Sequence, residues 1–362
     1  MQVKLALALF LLAGICLLVW PVYSQEKQEK VCFETSLHHT TRGMATWYEA
    51  EDGFFAITDV PYEDLGCMES CHVASCNDCH LEQQDDKLAY TVSKAKKSET
   101  CLKCHSREKA TIGMDKANDS LGVHMRAGMQ CADCHSAREV HGDGTSYESM
   151  RAPGAMDTEC KNCHTEDAQD YPAVPRTQSH FIHGDRLDCT ACHVQNSMTC
   201  YNCHFGVLKE TDSKPKSMVG QAKDFLLLVK YEDRITSGTI QSLVGAKDEP
   251  FVAYVPYFTH SVSKQGLKCE ECHNSKALQQ ITKGENFSPV QYKDGELSFY
   301  QGVIPAVPDR LSWIFLHKQD GDWVPFEPEK EPLQQMAVYA EPLSDSELEG
   351  MALEQTYSPP QE

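Results

Sequence analysis

Sixteen of the chain's 18 cysteines fall into eight short units that each end in Cys-His. The first unit is Cys67 and Cys71 with His72, and the second is Cys76 and Cys79 with His80. Next come Cys101 and Cys104 with His105, Cys131 and Cys134 with His135, and Cys160 and Cys163 with His164. The last three are Cys189 and Cys192 with His193, Cys200 and Cys203 with His204, and Cys269 and Cys272 with His273. Seven have the form C-x-x-C-H and the first is C-x-x-x-C-H. Chance placement yields about 0.04 copies of the pentapeptide in a chain of this length, so the repeated spacing reflects one chemistry used again and again.

Three chemistries use closely spaced cysteines. A disulfide framework is the default for a Cys-rich exported chain, but it requires neither the fixed three-residue step nor the histidine that follows. Structural zinc brings two C-x-x-C pairs together and likewise places no histidine directly after the second cysteine. Covalent haem attachment requires both features. Two thiols reach the two vinyl groups on one edge of a porphyrin, and the next residue turns its imidazole under the ring to the iron. The sequence therefore predicts eight covalently bound haems c, with the extra residue of the first unit loosening its loop while still spanning two vinyls.

Eight of the 16 histidines lie outside the motifs: His38, His39, His124, His141, His180, His183, His260 and His317. Eight irons each need a sixth ligand, so the count of remaining histidines equals the number of positions to fill. His124 stands seven residues before Cys131, His141 six after His135, and His180 and His183 just upstream of Cys189. All eight are expected as distal ligands beside the proximal His72, His80, His105, His135, His164, His193, His204 and His273; which serves which haem is not readable from the spacing. Met44, Met68, Met114, Met125 and Met129 lie near the motifs and are alternatives at single sites, core packing being the commoner use of methionine. Two axial histidines saturate an iron, which favours electron transfer over catalysis, and histidine on both faces implies low potentials.

The first 24 residues read as an export signal, with Lys4, an apolar run from Leu5 to Trp20 and cleavage after Ser24. A retained anchor is the rival, at the short end of what spans a bilayer. A lipoprotein at Cys16 would place Ile15 where a small residue belongs. After cleavage no further membrane span is expected, and the location is periplasmic or extracellular. The net charge of −20 argues against nucleic acid as a partner.

From Gln25 onward about 42 residues are available per haem, too few to enclose each in a conventional core. The expected fold is mostly irregular with short α-helices around a haem-packed core, with a small β-containing C-terminal part. The expected divisions are a signal peptide (1–24), a haem-dense region carrying seven haems (25–205), a β-containing subdomain carrying the eighth (206–330), and a short helix with tail (331–362). Strands are expected over Phe225 to Tyr231, Gly238 to Val244 and Phe251 to Phe258. A hairpin is expected around Asp320-Gly321, and a capping box at Ser344 and Glu347. Cys32 has no haem role.

The segments Ser179 to Phe205 and Pro256 to His273 resemble the multihaem cytochromes c of respiratory bacteria. The haem count is similar to that of the octahaem group with tetrathionate reductase-like and hydroxylamine oxidoreductase-like members. The resemblance covers roughly His38 to His273. It implies partners among other redox proteins, namely cytochromes and quinol-oxidising or terminal reductase complexes. Enzymes of that group leave one haem with a lysine or an open position, often marked by C-x-x-C-K, and this chain has no such motif. The leading expectation is an electron carrier. The alternative is a reductase of a small nitrogen or sulfur oxyanion with His38, His39 or His317 unbound. A homo-oligomer or filament of stacked haem chains is a third expectation that overlaps the first.

Overall fold

The structure is a computed structural model that describes residues 32–40, 42–65, 73–195, 197–211, 218–222 and 225–352. The expected signal segment and the whole first motif, Cys67, Cys71 and His72, lie outside the described residues. The chain divides into two compact units, one made of Met1–Thr46, Leu65–Cys101 and Gln130–Thr158, the other of Trp47–Asp64, Leu102–Met129 and Glu159–Glu362.

Among its described residues the first unit holds mainly short helical turns and one hairpin. Strands β1 (Leu81–Gln84) and β2 (Lys87–Tyr90) pair antiparallel in the register Leu81↔Tyr90, around a turn in which Asp85 takes a positive φ of 52°. Among the described residues of this unit, Ala155 is the only buried hydrophobic side chain. Side chains alone give it almost no apolar interior.

The second unit is different. Its longest helix is Ser106–Ala117. Its centre is a seven-stranded sheet of β3 (Thr199–His204), β4 (Met218–Ala222), β5 (Phe225–Tyr231), β6 (Arg234–Val244), β7 (Pro250–Pro256), β10 (Gly302–Pro305) and β13 (Leu333–Met336). Two small hairpins accompany it, β8 (Val290–Lys293) with β9 (Glu296–Phe299), and β11 (Phe315–Gln319) with β12 (Asp322–Phe326). The long β6 pairs antiparallel with β5 and β7 and parallel with β3. Gly238 sits where β5, β6 and β7 crowd together: a Cβ there would lie 2.9 Å from Val229 Cγ1 and 3.0 Å from Val255 O.

The continuous apolar run Phe225 to Val229 is buried along its whole length and packs with Tyr201, Ile240, Tyr254, Leu278, Ile304, Phe315 and Leu348. Such a run reads as a strand covered on both faces. The second unit thus has a side-chain core of its own. The three expected strands, the Asp320-Gly321 hairpin and the C-terminal helix are all present. The helix Asp345–Ala352 is capped reciprocally, with Ser344 N donating to Glu347 Oε2 at 2.7 Å and Glu347 N donating to Ser344 Oγ at 3.3 Å. Among the described residues no helix is long and apolar enough to cross a membrane.

Candidate haem sites

In the first unit, Cys76 leads into the helical turn Asn77–His80, and His80 N closes the turn on Cys76 O at 2.9 Å. The turn gathers Cys76, Cys79 and His80 within one helical turn. Opposite His80 stands His141, the last residue of the turn Ala137–His141, which is capped by Ser136 and stopped at Gly142. Gly142 has φ +78°, and a Cβ there would meet Cys32 O at 2.8 Å. The two imidazole centroids are 6.0 Å apart, and His80 Nδ1 is tied to Thr91 O at 3.2 Å.

The second unit repeats this arrangement three times. His124 faces His164 at 5.9 Å, His180 faces His193 at 6.0 Å, and His183 faces His273 at 6.0 Å. Each pair joins a motif histidine to one outside the motifs. In these pairs Nδ1 is committed elsewhere: His164 to Pro172 O at 2.8 Å, His193 to Ser263 O at 3.1 Å, His273 to Met351 O at 2.6 Å, His183 to Ser179 O at 2.8 Å and His180 to Thr177 Oγ1 at 2.7 Å. An Nδ1–H that donates to a carbonyl leaves Nε2 as the lone-pair nitrogen, the tautomer that a metal takes. Two Nε2–metal bonds of about 2 Å put the ring centres about 6 Å apart. Burial holds His124 and His183 below the usual histidine range, which keeps them neutral as ligands must be.

One short helix serves two sites. Gln178–His183, capped by Thr177, carries His180 and His183 three residues apart on one face, facing motifs six and eight respectively.

The same tight turn recurs at the attachment cysteines. Cys131 opens the 3₁₀ turn Cys131–Asp133, and Cys134 N donates to Cys131 O at 3.2 Å. Cys160 opens Cys160–Asn162, where Cys163 N donates to Cys160 O at 3.3 Å, and Cys192 N reaches Cys189 O at 3.3 Å in the same way. Cys101 ends the helical turn Ser98–Cys101, and Cys104 follows it, with Ser106 N donating to Cys104 O at 2.7 Å. Cys79 and Cys163 are half-buried, whereas Cys104 and Cys134 are exposed. No described motif cysteine is joined in a disulfide.

First cysteines of successive motifs also lie near one another, Cys101 beside Cys131 and Cys160 beside Cys189. Burial pushes the Cys272 thiol up to about 12. Cys192 lies against Leu267 O at 3.7 Å, where a Cβ on Gly266 would come within 2.6 Å of its Sγ. Only glycine leaves room for that sulfur.

The remaining motif histidines are held differently. His135 Nδ1 lies 2.8 Å from Glu139 Oε2, and that carboxylate also accepts from Asp157 N and Thr158 N at 2.6 Å each. Burial works against the Glu139 anion, but these donors hold its pKa well below the usual carboxylate range, and the carboxylate in turn raises His135. His105 Nδ1 is 3.9 Å from Glu108. His39 Nδ1 is 3.4 Å from Val73 O, with His38 beside it and its Nδ1 buried; His260 Nδ1 is buried as well. His204 and His317 both meet Asp248, through His204 Nε2 at 3.3 Å and His317 Nδ1 at 3.5 Å. Among the described residues no three His, Cys, Asp or Glu side chains form a metal-holding cluster by themselves.

Residues 123–205 match the cytochrome c3 family. The chain is also 26% identical over 127 residues to the multiheme cytochrome MtrA of Shewanella baltica (strain OS185), a stretch covering 32% of this chain and 34% of that protein. No solved structure matches. The family match and the relative support a multihaem c-type cytochrome.

The residues that pin the imidazoles escaped sequence reasoning. Most act through backbone carbonyls, as at Thr91, Pro172, Ser179, Ser263 and Met351, and any residue type supplies a carbonyl. A signal did exist at Thr177, where an N-cap residue precedes two histidines at helical spacing.

Proposed function

We propose that the protein is an exported respiratory electron conduit carrying eight haems c, one on each Cys-His motif, predominantly bis-histidine and closely packed. Its partners are other redox proteins, namely cytochromes and quinol-oxidising or terminal reductase complexes, met in the periplasm or outside the cell. Attachment falls to Cys67 and Cys71, Cys76 and Cys79, Cys101 and Cys104, Cys131 and Cys134, Cys160 and Cys163, Cys189 and Cys192, Cys200 and Cys203, and Cys269 and Cys272. The observation that carries this reading is the set of four imidazole pairs about 6 Å apart, drawn from positions remote in sequence, with Nδ1 turned away on the motif side of each. The axial pairs assigned on that basis are His80 with His141, His124 with His164, His180 with His193 and His183 with His273. The near-absence of buried apolar side chains in the first unit supports porphyrins as its interior. The nearness of thiols from successive motifs supports close packing of neighbouring haems.

The test is an electron paramagnetic resonance spectrum of the oxidised protein, with haems counted by intact mass. His80→Ala is expected to convert one low-spin haem to high-spin while leaving the covalent haem count unchanged. An unchanged low-spin integral in that variant would reject the pairing. A second reading, a reductase of a small nitrogen or sulfur oxyanion at one open haem, is favoured by the arrangement of His204 and His317.

A further inference from the structure

The seventh motif is built unlike its neighbours. Motifs two, four, five, six and eight include α- or 3₁₀-helical turns, whereas Thr199–His204 is strand β3 inside the seven-stranded sheet. Its register against β6 slips between Cys200 and Cys203, and Asn202 takes φ 52°. This bulge buries both intervening side chains. The Tyr201 hydroxyl donates to Ile314 O, while the Asn202 amide donates to Leu316 O at 2.7 Å and accepts from Leu316 N at 2.8 Å. Cys203 packs against Phe54, Leu243 and Phe251, and successive residues of a strand point to opposite faces. His204 accordingly lies across the sheet from Cys203, near Trp323 of β12. For His204 to ligate the iron of a haem held by Cys203, thiol and imidazole would have to lie on one side of the chain.

The histidine nitrogens are also committed in a way that prevents convergence. Val207 N, which can only donate, approaches His204 Nδ1 at 3.5 Å, so the His204 proton sits on Nε2 and points at Asp248 Oδ1. His317 meets the other oxygen of Asp248 with Nδ1, which turns its Nε2 away from that carboxylate. One ring uses Nε2 and the other Nδ1, so the two Nε2 atoms do not face a shared iron. The residues of this motif therefore do not fit a bis-histidine haem.

We propose that the motif of Cys200, Cys203 and His204 is not a bis-histidine site, and that His204 and His317 are instead the two arms of an Asp248-centred clamp joining β3 to the β11–β12 hairpin. The proposal rests on the multihaem reading and narrows it, since it locates the one place where coordination departs from the rest. The test uses the full-length holoprotein and the low-spin integral per haem. His317→Ala, on a half-exposed hairpin position, and His204→Gln are both expected to leave the low-spin integral unchanged, while His183→Ala in the same series lowers it by one haem. Loss of one low-spin haem in either the His317 or the His204 variant, with mass mapping that assigns the altered haem to the peptide holding Cys200 and Cys203, overturns the proposal. Failure of His183→Ala to lower the integral would instead reject the multihaem pairing itself, so the two failures are distinguishable.

Discussion

Phe181→Pro is expected to open two iron sites with one substitution at a residue that ligates nothing. Phe181 N donates to Thr177 O at 3.1 Å in the helix Gln178–His183. Proline removes that donor, and its ring clashes with the carbonyl four residues back, a cost of about 3 kcal/mol or more in a helix interior. A six-residue helix held by a single cap has no reserve with which to absorb this. His180 and His183 hang on the same turn and face His193 and His273, so both lose their positions together. The Phe181 side chain is 88% exposed, so packing of the described residues is untouched. The measurement is the high-spin integral of the oxidised protein, expected to rise by two haems at an unchanged covalent count; a rise of one, or none, would show that the turn does not act as a unit.

Asn202→Ala is expected to destabilise the second unit by about 3–8 kcal/mol. The Asn202 side chain is fully buried and satisfies both backbone groups of Leu316. Leu316 lies opposite Pro325 in the hairpin, and proline has no N–H to offer. Each buried group left without its partner costs about 1–3 kcal/mol, and alanine at φ 52° adds about 1–2 kcal/mol that asparagine tolerates more easily. Urea unfolding followed by far-ultraviolet circular dichroism reads this as a fall in midpoint, with haem content per chain checked separately. Asn202→Gly, which also removes both side-chain bonds but adopts a positive φ without strain, is expected to fall between wild type and alanine.

The attachment chemistry was legible because C-x-x-C-H is a local pattern whose geometry is complete within five residues. The strands were legible for a similar reason: Phe225 to Val229 is a short apolar run bounded by turn formers, and Asp320-Gly321 is a hairpin turn in any context. What the chain order hid was which imidazole faces which, because His124 and His164, or His183 and His273, are brought together only by tertiary folding. Nearness between motifs was hidden in the same way: nothing in the spacing says that Cys101 lies beside Cys131, or Cys160 beside Cys189. The seventh motif was hidden more deeply. Its five letters match those of its neighbours, yet Thr199 and Tyr201 favour a strand, and the unpaired Leu316 groups of a hairpin more than 110 residues later select Asn202 as their partner. The side-chain core of the second unit was under-read because attention to residues per haem averages over a chain whose cofactors are unevenly spread.

The contrast in buried apolar side chains between the two units has a consequence for biogenesis. With Ala155 as its one buried hydrophobic among the described residues, the first unit is expected, on the proposed reading, to fold only as porphyrins are attached. The second unit has Leu227, Ile240, Leu278 and Ile304 to close upon regardless. A haem-free chain is thus expected to present a formed sheet in its second unit and a first unit still open to the attachment machinery and to proteases alike. Limited proteolysis of the haem-free chain would read this as early loss of 73–101 with 225–352 surviving; equal loss of both would contradict it. On that reading a chain short of cofactor is expected to be open to degradation first through the unit that folds with its haems.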